Sequence, residues 1–494
     1  MDERRVRSAA RAVAGDFQTP LELARGVVRA VAETGVRPRA VLEPTCGKGA
    51  FLLAAREVFP RARLVGFDVN AEYVAEARRA LGASARVEEA DFFGVDWAAV
   101  LSDLPAPVLV LGNPPWVTSA TVSKLGGSNG PERTRRTGLV GLDAVTGASN
   151  FDISVWMLEV LGRAALSRGA SLAVLCKAQV ARKMVSFFHR EGVHAEGDIW
   201  KLDARRHFGA SVDAVAFAAR PASPRGAGGV FAVRPALVSA PVSRLGVRRG
   251  SLTGDVDAEG RTAFLERTND GPDEPEWRSG IKHDAAKVME LHRVGETFVN
   301  GLGEPVDLEP SHVLPLMKGS DVANRRAPGA RALVVPQRAL FDPTEALAES
   351  APRTYTYLRR HEATLLARKS RIYAGRPAFS IFGVGPYAFA PYKVAVCGLY
   401  KRLAFHLVGP CEGQPVVFDD TVTFLPFDDE ASAACVAKAL ESPLAREFFE
   451  ARVFWDEQRP LGKAVLQRLS LRALLEAENG PGDPFSLERH PKEP

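Results

Sequence analysis

The stretch with the most definite chemistry is Leu109-Val110-Leu111-Gly112-Asn113-Pro114-Pro115-Trp116, an apolar run, a glycine and four residues whose types share a use. Pro114 and Pro115 lack an N–H and fix their backbone, so a strand ending there must stop and present carbonyl acceptors in a stiff loop. The Asn113 side-chain oxygen and the Pro114 carbonyl make a pair of acceptors suited to the two hydrogens of an amine. Trp116 supplies a flat face beside them. Taken singly, each residue also suits a plain turn with a packed tryptophan. The whole tetrapeptide after a strand, downstream of a glycine turn, is what sharpens the reading.

That glycine turn is Leu42-Glu43-Pro44-Thr45-Cys46-Gly47-Lys48-Gly49-Ala50-Phe51-Leu52, a strand passing through a bend into a helix. Glycines let a ligand approach the backbone, and a helix N-terminus offers unpaired N–H groups. The third glycine of the dinucleotide fingerprint is absent, because Leu52 occupies its place. Asp68, with Val69 beside it, closes the next strand, and Asp91-Phe92 follows a third candidate strand ending at Ala90. Acids at successive strand ends can hold a ribose diol and an adenine amine. Solvated surface acids are the alternative reading of both.

Val41 to Glu43, Leu64 to Phe67, Val108 to Gly112, Leu172 to Cys176 and Ala214 to Ala218 read as strands. Between them Ala50 to Val58, Ala71 to Leu81 and Ser154 to Leu166 have helical spacing. Such alternation predicts an α/β fold with a mostly parallel sheet covered on both faces, and ligands bind such sheets beyond the carboxyl ends of the strands. The Pro- and Gly-rich run 221–229 sets an expected boundary, giving a first domain at 1–220 and a second region at 221–478. An acidic, Pro-rich loop follows at 269–276. The composition of 479–494 is that of a disordered tail, and no internal repeat is evident.

The chain of 494 residues is 46% hydrophobic and 25% charged, enough to bury at least two cores. Sixty-four basic against 59 acidic residues leave a formal charge of only +5, which excludes a reading from bulk charge and moves the search for a partner to local charge. Residues 351–402 hold ten cations against one acid, Glu362, and six of the seven tyrosines. A helix with a solvated basic side followed by packed strands explains this window as well as a binding face does. Five widely spaced cysteines without a Cys-x-x-Cys pair suit neither a disulfide framework nor a zinc finger, and a reducing compartment is expected. Neither a secretory leader nor a run approaching about 20 apolar residues is read, so an intracellular protein without a membrane span is expected.

Together these motifs resemble S-adenosylmethionine-dependent methyltransferases that modify the exocyclic amine of adenine in DNA, over about residues 16 to 220. The resemblance implies a Rossmann-like class I methyltransferase domain followed by an α+β target-recognition region. Phe17-Gln18-Thr19-Pro20 resembles the motif that meets the methionine part of the cofactor. Glu43, Pro44, Thr45, Cys46, Gly47, Gly49 and Phe51 match the glycine loop, with Glu43 where many relatives carry Asp. Asp68 matches the ribose-binding acid, Asp91 and Phe92 the adenine-binding pair, and Asn113, Pro114, Pro115 and Trp116 the catalytic tetrapeptide. Asn150-Phe151-Asp152 and the strand after Gly169 fall where weaker motifs belong. Phe208 resembles the ring that stacks on an extruded base, although a core phenylalanine serves equally. The motif order resembles the gamma-type arrangement.

The resemblance further implies duplex DNA as partner, S-adenosylmethionine as cofactor, no metal, a place in the cytoplasm on the nucleoid, and a restriction or defence system whose nuclease is a separate polypeptide. In the Gly-, Ser- and Arg-rich segment Thr118 to Ser149, Arg133, Arg135 and Arg136 are read as a lid touching phosphate, with a solvated loop as the alternative. Arg359, Arg360, Arg368, Lys369 and Arg371 are read as part of a DNA face. Trp277 to Lys282 and Lys318 to Asp321 resemble segments flanking recognition regions. Methylation of RNA or of a protein glutamine amide, or a non-catalytic specificity subunit, are the other functions this pattern allows. Intact Gly47, Gly49, Asp68, Asp91 and Asn113 speak against the last.

Overall fold

The computed structural model describes residues 18–116, 152–222, 229–268 and 274–480, which form two compact units, 1–257 and 258–494. In the first unit a ten-stranded sheet runs in the order β10-β9-β8-β6-β7-β5-β4-β1-β2-β3. Its centre is β1 (Ala40–Glu43), with β4 (Val108–Gly112) and β2 (Arg63–Asp68) on either side and both pairs parallel. β1 and β4 are buried along their whole length, as strands covered by helices on both faces must be. β3 (Ala85–Glu89) and β5 (Ser171–Lys177) extend the parallel core on opposite sides. The strand order therefore reverses between β1 and β4, and Glu43, Asp68 and Gly112 end neighbouring strands at that crevice.

The three helices expected from apolar spacing form, and others accompany them. The first, α1 (Leu21–Glu33), lies ahead of β1. α2 (Ala50–Val58) and α3 (Ala71–Leu81) match the expected bounds residue for residue. Asn70 caps α3, its side-chain oxygen accepting from the Glu72 and Tyr73 amides at 2.9 and 3.2 Å. α4 (Trp97–Ser102) is capped by Asp96, and α5 (Ile153–Leu166) begins one residue earlier than expected because Asp152 caps it. α6 (Ala178–Arg190) follows β5 without a loop, and α7 (Ala204–Phe208) starts at the cap Asp203 and ends on left-handed Gly209.

Two features depart from the sequence reading. β7 (Ala214–Pro221) is the expected strand, but it runs antiparallel between β5 and β6 (Ala195–Leu202). Its first residue, Ala214, thus pairs with the last of β5, Lys177, and brings α7 to the carboxyl edge of the parallel strands. The division expected at 220 also moves, to 257. β8 (Val230–Arg234) pairs parallel with β6, and β9 (Ser243–Arg248) and β10 (Ser251–Thr253) continue the same sheet. Buried Asp198 on β6 receives Arg234 Nε at 2.9 Å and Arg220 Nη1 at 3.4 Å, which ties the two sides of the expected boundary together. A Pro- and Gly-rich loop marks a turn in the chain and says nothing about whether the next strand rejoins the same sheet.

The second unit holds a six-stranded sheet in the order β14 (Pro305–Val306), β13 (Thr297–Asn300), β12 (Glu290–Val294), β16 (Arg331–Val334), β15, β19, and a four-stranded antiparallel sheet in the order β11 (Arg278–Ser279), β20 (Val422–Phe427), β17 (Tyr392–Cys397), β18 (His406–Val408). In the larger sheet only β15 (Val313–Met317) and β19 (Val417–Phe418) pair in parallel. One core packs around Leu291, Leu333 and Leu358, another around Trp277, Leu425 and Phe448. This is the α+β pattern expected of the second region. Asn479, the first residue of the expected tail, ends the helix Leu471–Asn479, and 481–494 lie outside the described residues. Among the described residues no helix is long and apolar enough to cross a membrane.

Candidate active site

Three strand ends build the site. After β1 the chain bends through Cys46, whose amide donates to the Phe67 carbonyl at 2.7 Å, and Gly49, whose amide donates to the Cys46 carbonyl at 2.8 Å. Gly47 has φ +49°, and a Cβ there would stand 2.7 Å from Gln18 Oε1. The position requires glycine for its backbone angle and for the close approach of Gln18. Gly49 has φ +86° and opens α2, with Ala77 and Leu81 of α3 pressed against it. Gln18 Oε1 accepts from the Lys48 amide at 3.3 Å, which joins the N-terminal motif to the glycine loop.

Asp68, half-exposed at the end of β2, accepts from the Gly47 amide through Oδ2 at 2.7 Å and from the Asn70 amide through Oδ1 at 2.9 Å. The carboxylate thereby locks the loop to the next strand. Val69 beside it is 54% exposed, unusual for valine. Asp91 accepts from the Phe93 amide at 3.0 Å, while buried Phe92 packs on Trp97 with centroids 4.9 Å apart. Pro20 is exposed, and Thr45 is half-buried above Gly112.

Some expected cofactor residues act from beneath. Phe51 and Cys46 belong to the core that supports the loop, and Pro44 is buried. Glu43 is buried as well, and among the described residues its Oε2 has no hydrogen-bond partner. Burial first, and then the charge of Asp68, push the Glu43 carboxyl well above the usual carboxylate range.

Asn113 stands one residue beyond β4. Its Nδ2 donates to Thr19 Oγ1 at 3.3 Å, an engagement that fixes which end of the amide is the nitrogen. Trp116 is only 6% exposed, and its indole, read from sequence as a flat face, meets Phe208 in an edge-to-face contact with centroids 5.2 Å apart. Phe208, at the end of α7, is half-buried at the rim of the core. It packs against the core, as its core reading expects, and it also edges the tetrapeptide.

Sequence reasoning missed Lys177, and it named Asp152 only as part of a weaker motif, without its partner. Lys177, the last residue of β5, donates from Nζ to the Trp116 carbonyl at 3.3 Å and to Asp152 Oδ2 at 2.7 Å. Asp152 also accepts from Ser154 Oγ at 2.6 Å. An Asp ahead of an apolar run is a legible helix cap. Nothing in sequence pairs it with a lysine on another strand.

Of the cations read as a DNA face, Arg368 is a structural group. Its guanidinium donates to the carbonyls of Leu365, His283, Ser380 and Ala378 and lies 3.8 Å from the Tyr373 ring centroid. Four of its five N–H donors are engaged within the fold, a role that the reading as a DNA contact did not foresee. Arg359 is paired with Glu362 at 2.7 Å, whereas Arg360, Lys369 and Arg371 are exposed. Arg368 and Lys369 line an open cleft of about 470 Å³ with Asp284, Thr364, Ala367 and Ser370. Arg133, Arg135, Arg136, Phe17 and Asn150-Phe151 lie outside the described residues.

No protein-family model matches the chain. It is 40% identical over 469 residues to the Type II methyltransferase M.NspV of Nostoc sp. (strain ATCC 29411 / PCC 7524), covering 93% of this chain and 96% of that protein. The chain belongs to the type II methyltransferases. Among solved structures this methyltransferase is similar to a modification subunit of a putative type I restriction enzyme from Vibrio vulnificus YJ016, at 16% identity and TM-score 0.30, over 62% of this chain and 61% of that one. It is also similar to the 23S rRNA methyltransferase ErmE, at 16% identity and TM-score 0.26, over 42% and 70%. For a member of this family the methyl donor is of the S-adenosylmethionine type. The residues present fit such a group: Asp68 and Asp91 offer acceptors at successive strand ends, Val69 stays uncovered, and Gly112 leaves its surroundings open, with no atom nearer than 3.8 Å to a Cβ placed there.

Proposed function

We propose that this methyltransferase is a DNA methyltransferase of restriction-modification type, and that it methylates the exocyclic N6 amine of adenine in duplex DNA with S-adenosylmethionine as donor. The observation that carries this reading is the Asn113 corner, a carboxamide and a proline carbonyl ending β4 beside the glycine loop of β1, with Thr19 on the amide nitrogen. The adenine amine is a weak nucleophile because its lone pair is delocalised into the ring. Asn113 Oδ1 and the Pro114 carbonyl, by accepting both amine hydrogens, would localise that pair on nitrogen and point it along the transfer axis. A bound sulfonium supplies the activated methyl group. Gly47, Asp68, Asp91 and Gln18 would hold the donor, and orientation supplies much of the remaining acceleration.

In a duplex that amine is paired and stacked, so the base must be rotated out at a cost of a few kcal/mol. Stacking, about 1 to 3 kcal/mol per base, offsets part of that. Half-buried Phe208 is the ring such a base meets first, with Trp116 behind it. Arg360, Lys369 and Arg371, exposed on the second unit, are the cations this reading assigns to DNA phosphate, with Arg359 available once its surface pair with Glu362 opens. A separate nuclease as functional partner and a place on the nucleoid complete the proposal.

The test is transfer of labelled methyl from S-adenosylmethionine to unmethylated duplex DNA, with the product nucleoside identified by mass spectrometry. N6-methyladenine is expected. Asn113→Ala should lower the rate by at least about a hundredfold while cofactor affinity stays near wild type. Methylation of cytosine, RNA or protein in place of adenine would overturn the substrate; full activity of the variant would overturn the mechanism.

A further inference from the structure

We propose that Lys177, held by Asp152, is the positioning residue that sets the tetrapeptide against the amine being methylated. β5 pairs with β4 in parallel register as far as Gly112 opposite Val174. Beyond Gly112 that ladder cannot continue from the tetrapeptide side, because Pro114 and Pro115 have no N–H to donate. Lys177 stands three residues past Val174, level with Pro115 if the register is extended. There a side-chain ammonium makes a link that the interrupted ladder lacks, donating from the β5 side to the Trp116 carbonyl at 3.3 Å.

The ammonium is itself fixed. Asp152 Oδ2 receives it at 2.7 Å, and the same carboxylate accepts from the Ser154 amide at 3.1 Å and Ser154 Oγ at 2.6 Å at the start of α5. Lys177 and Asp152 keep only 26% and 13% of their side-chain surface, so solvent does not fully screen the pair. One cation thus ties the residue before 117–151 to the residue after it, at the end of a strand rooted in the sheet. The Trp116 carbonyl is held by this bond and the two prolines stiffen the backbone ahead of it, so the tetrapeptide that carries the Pro114 carbonyl and the indole is restrained. The role assigned to Lys177 is exerted through the tetrapeptide, by its bond to the Trp116 carbonyl.

The inference rests on the proposed reaction only for its assay. Lys177→Met keeps the aliphatic stem and removes the donor, Lys177→Arg restores a cation, and Asp152→Asn loosens the cation's anchor. Lys177→Met is expected to lower kcat by about tenfold to a hundredfold with cofactor Kd and Tm near wild type, and Lys177→Arg to recover most of that loss. Asp152→Asn should fall between them. Unchanged kcat in Lys177→Met would overturn the proposal, as would a parallel loss of kcat, cofactor affinity and Tm that Lys177→Arg fails to rescue. If the wild type proves to methylate another substrate, the proposed function falls, and the same comparison on that substrate still decides the role of Lys177.

Discussion

Glu43 shows how a motif residue can work without touching a ligand. Its carboxyl is buried under the glycine loop, and burial together with Asp68 raises its proton affinity far above the ordinary value of 4.5. The folded protein therefore holds a proton that the unfolded chain releases above pH 4.5, and stability falls as pH rises from there through the folded value. Glu43→Gln, which copies the protonated shape, should remove that dependence. Melting curves of the two proteins are expected to agree near pH 5 and to separate toward pH 8 with the variant higher, by up to about 1.4 kcal/mol per pH unit. A gap independent of pH, or a more stable wild type at pH 8, would refute the assignment. At this scale Gly47, Asp68 and Asn113 were legible because their types are scarce answers to a definite need. Lys177 was not, because its meaning is a distance to residues far along the chain.

Among the elements, β7 and β8 carry the difference between the expected sheet and the observed one. Ala214 to Ala218 read correctly as a buried strand, but apolar content does not encode direction. The antiparallel insertion of β7 follows from its pairing with both β5 and β6, and it places Phe208 beside Trp116. β8 lies past the loop taken as a domain boundary, yet Phe231 on it is fully buried and stacks on Phe217 of β7 with centroids 5.3 Å apart. Phe231→Ala should destabilise the first unit by about 3–5 kcal/mol, measured by denaturant unfolding. A loss below about 1 kcal/mol would mean that β8 is an appendage.

For the whole molecule the useful division is at 257, since β8, β9 and β10 complete the sheet that carries the site. A chain ending at Asp257 is expected to melt in one cooperative transition that S-adenosylmethionine shifts upward. A chain ending at Arg220 exposes the outer edge of β6 and leaves Asp198 without Arg234, and it should aggregate or melt broadly. Equal behaviour of the two would return the boundary to 220. The basic, tyrosine-rich window shows the same contrast between composition and use. Arg368 and Tyr373 stack on each other, and Tyr357 is buried with its hydroxyl donating to the Val288 carbonyl at 2.6 Å.

The sequence alone determined the strand and helix bounds around the glycine loop, the two acids ending successive strands and the acceptor pair at Asn113. Each of these rests on chemistry local to a few residues: missing N–H groups, positive φ, apolar periodicity. Only the tertiary structure decided that Arg368 belongs to the fold, that Phe208 meets Trp116, that the sheet continues to Thr253 and that Lys177 braces the tetrapeptide. Those facts depend on strand order and direction, which are settled by packing between segments distant in the chain and leave no mark in any one of them.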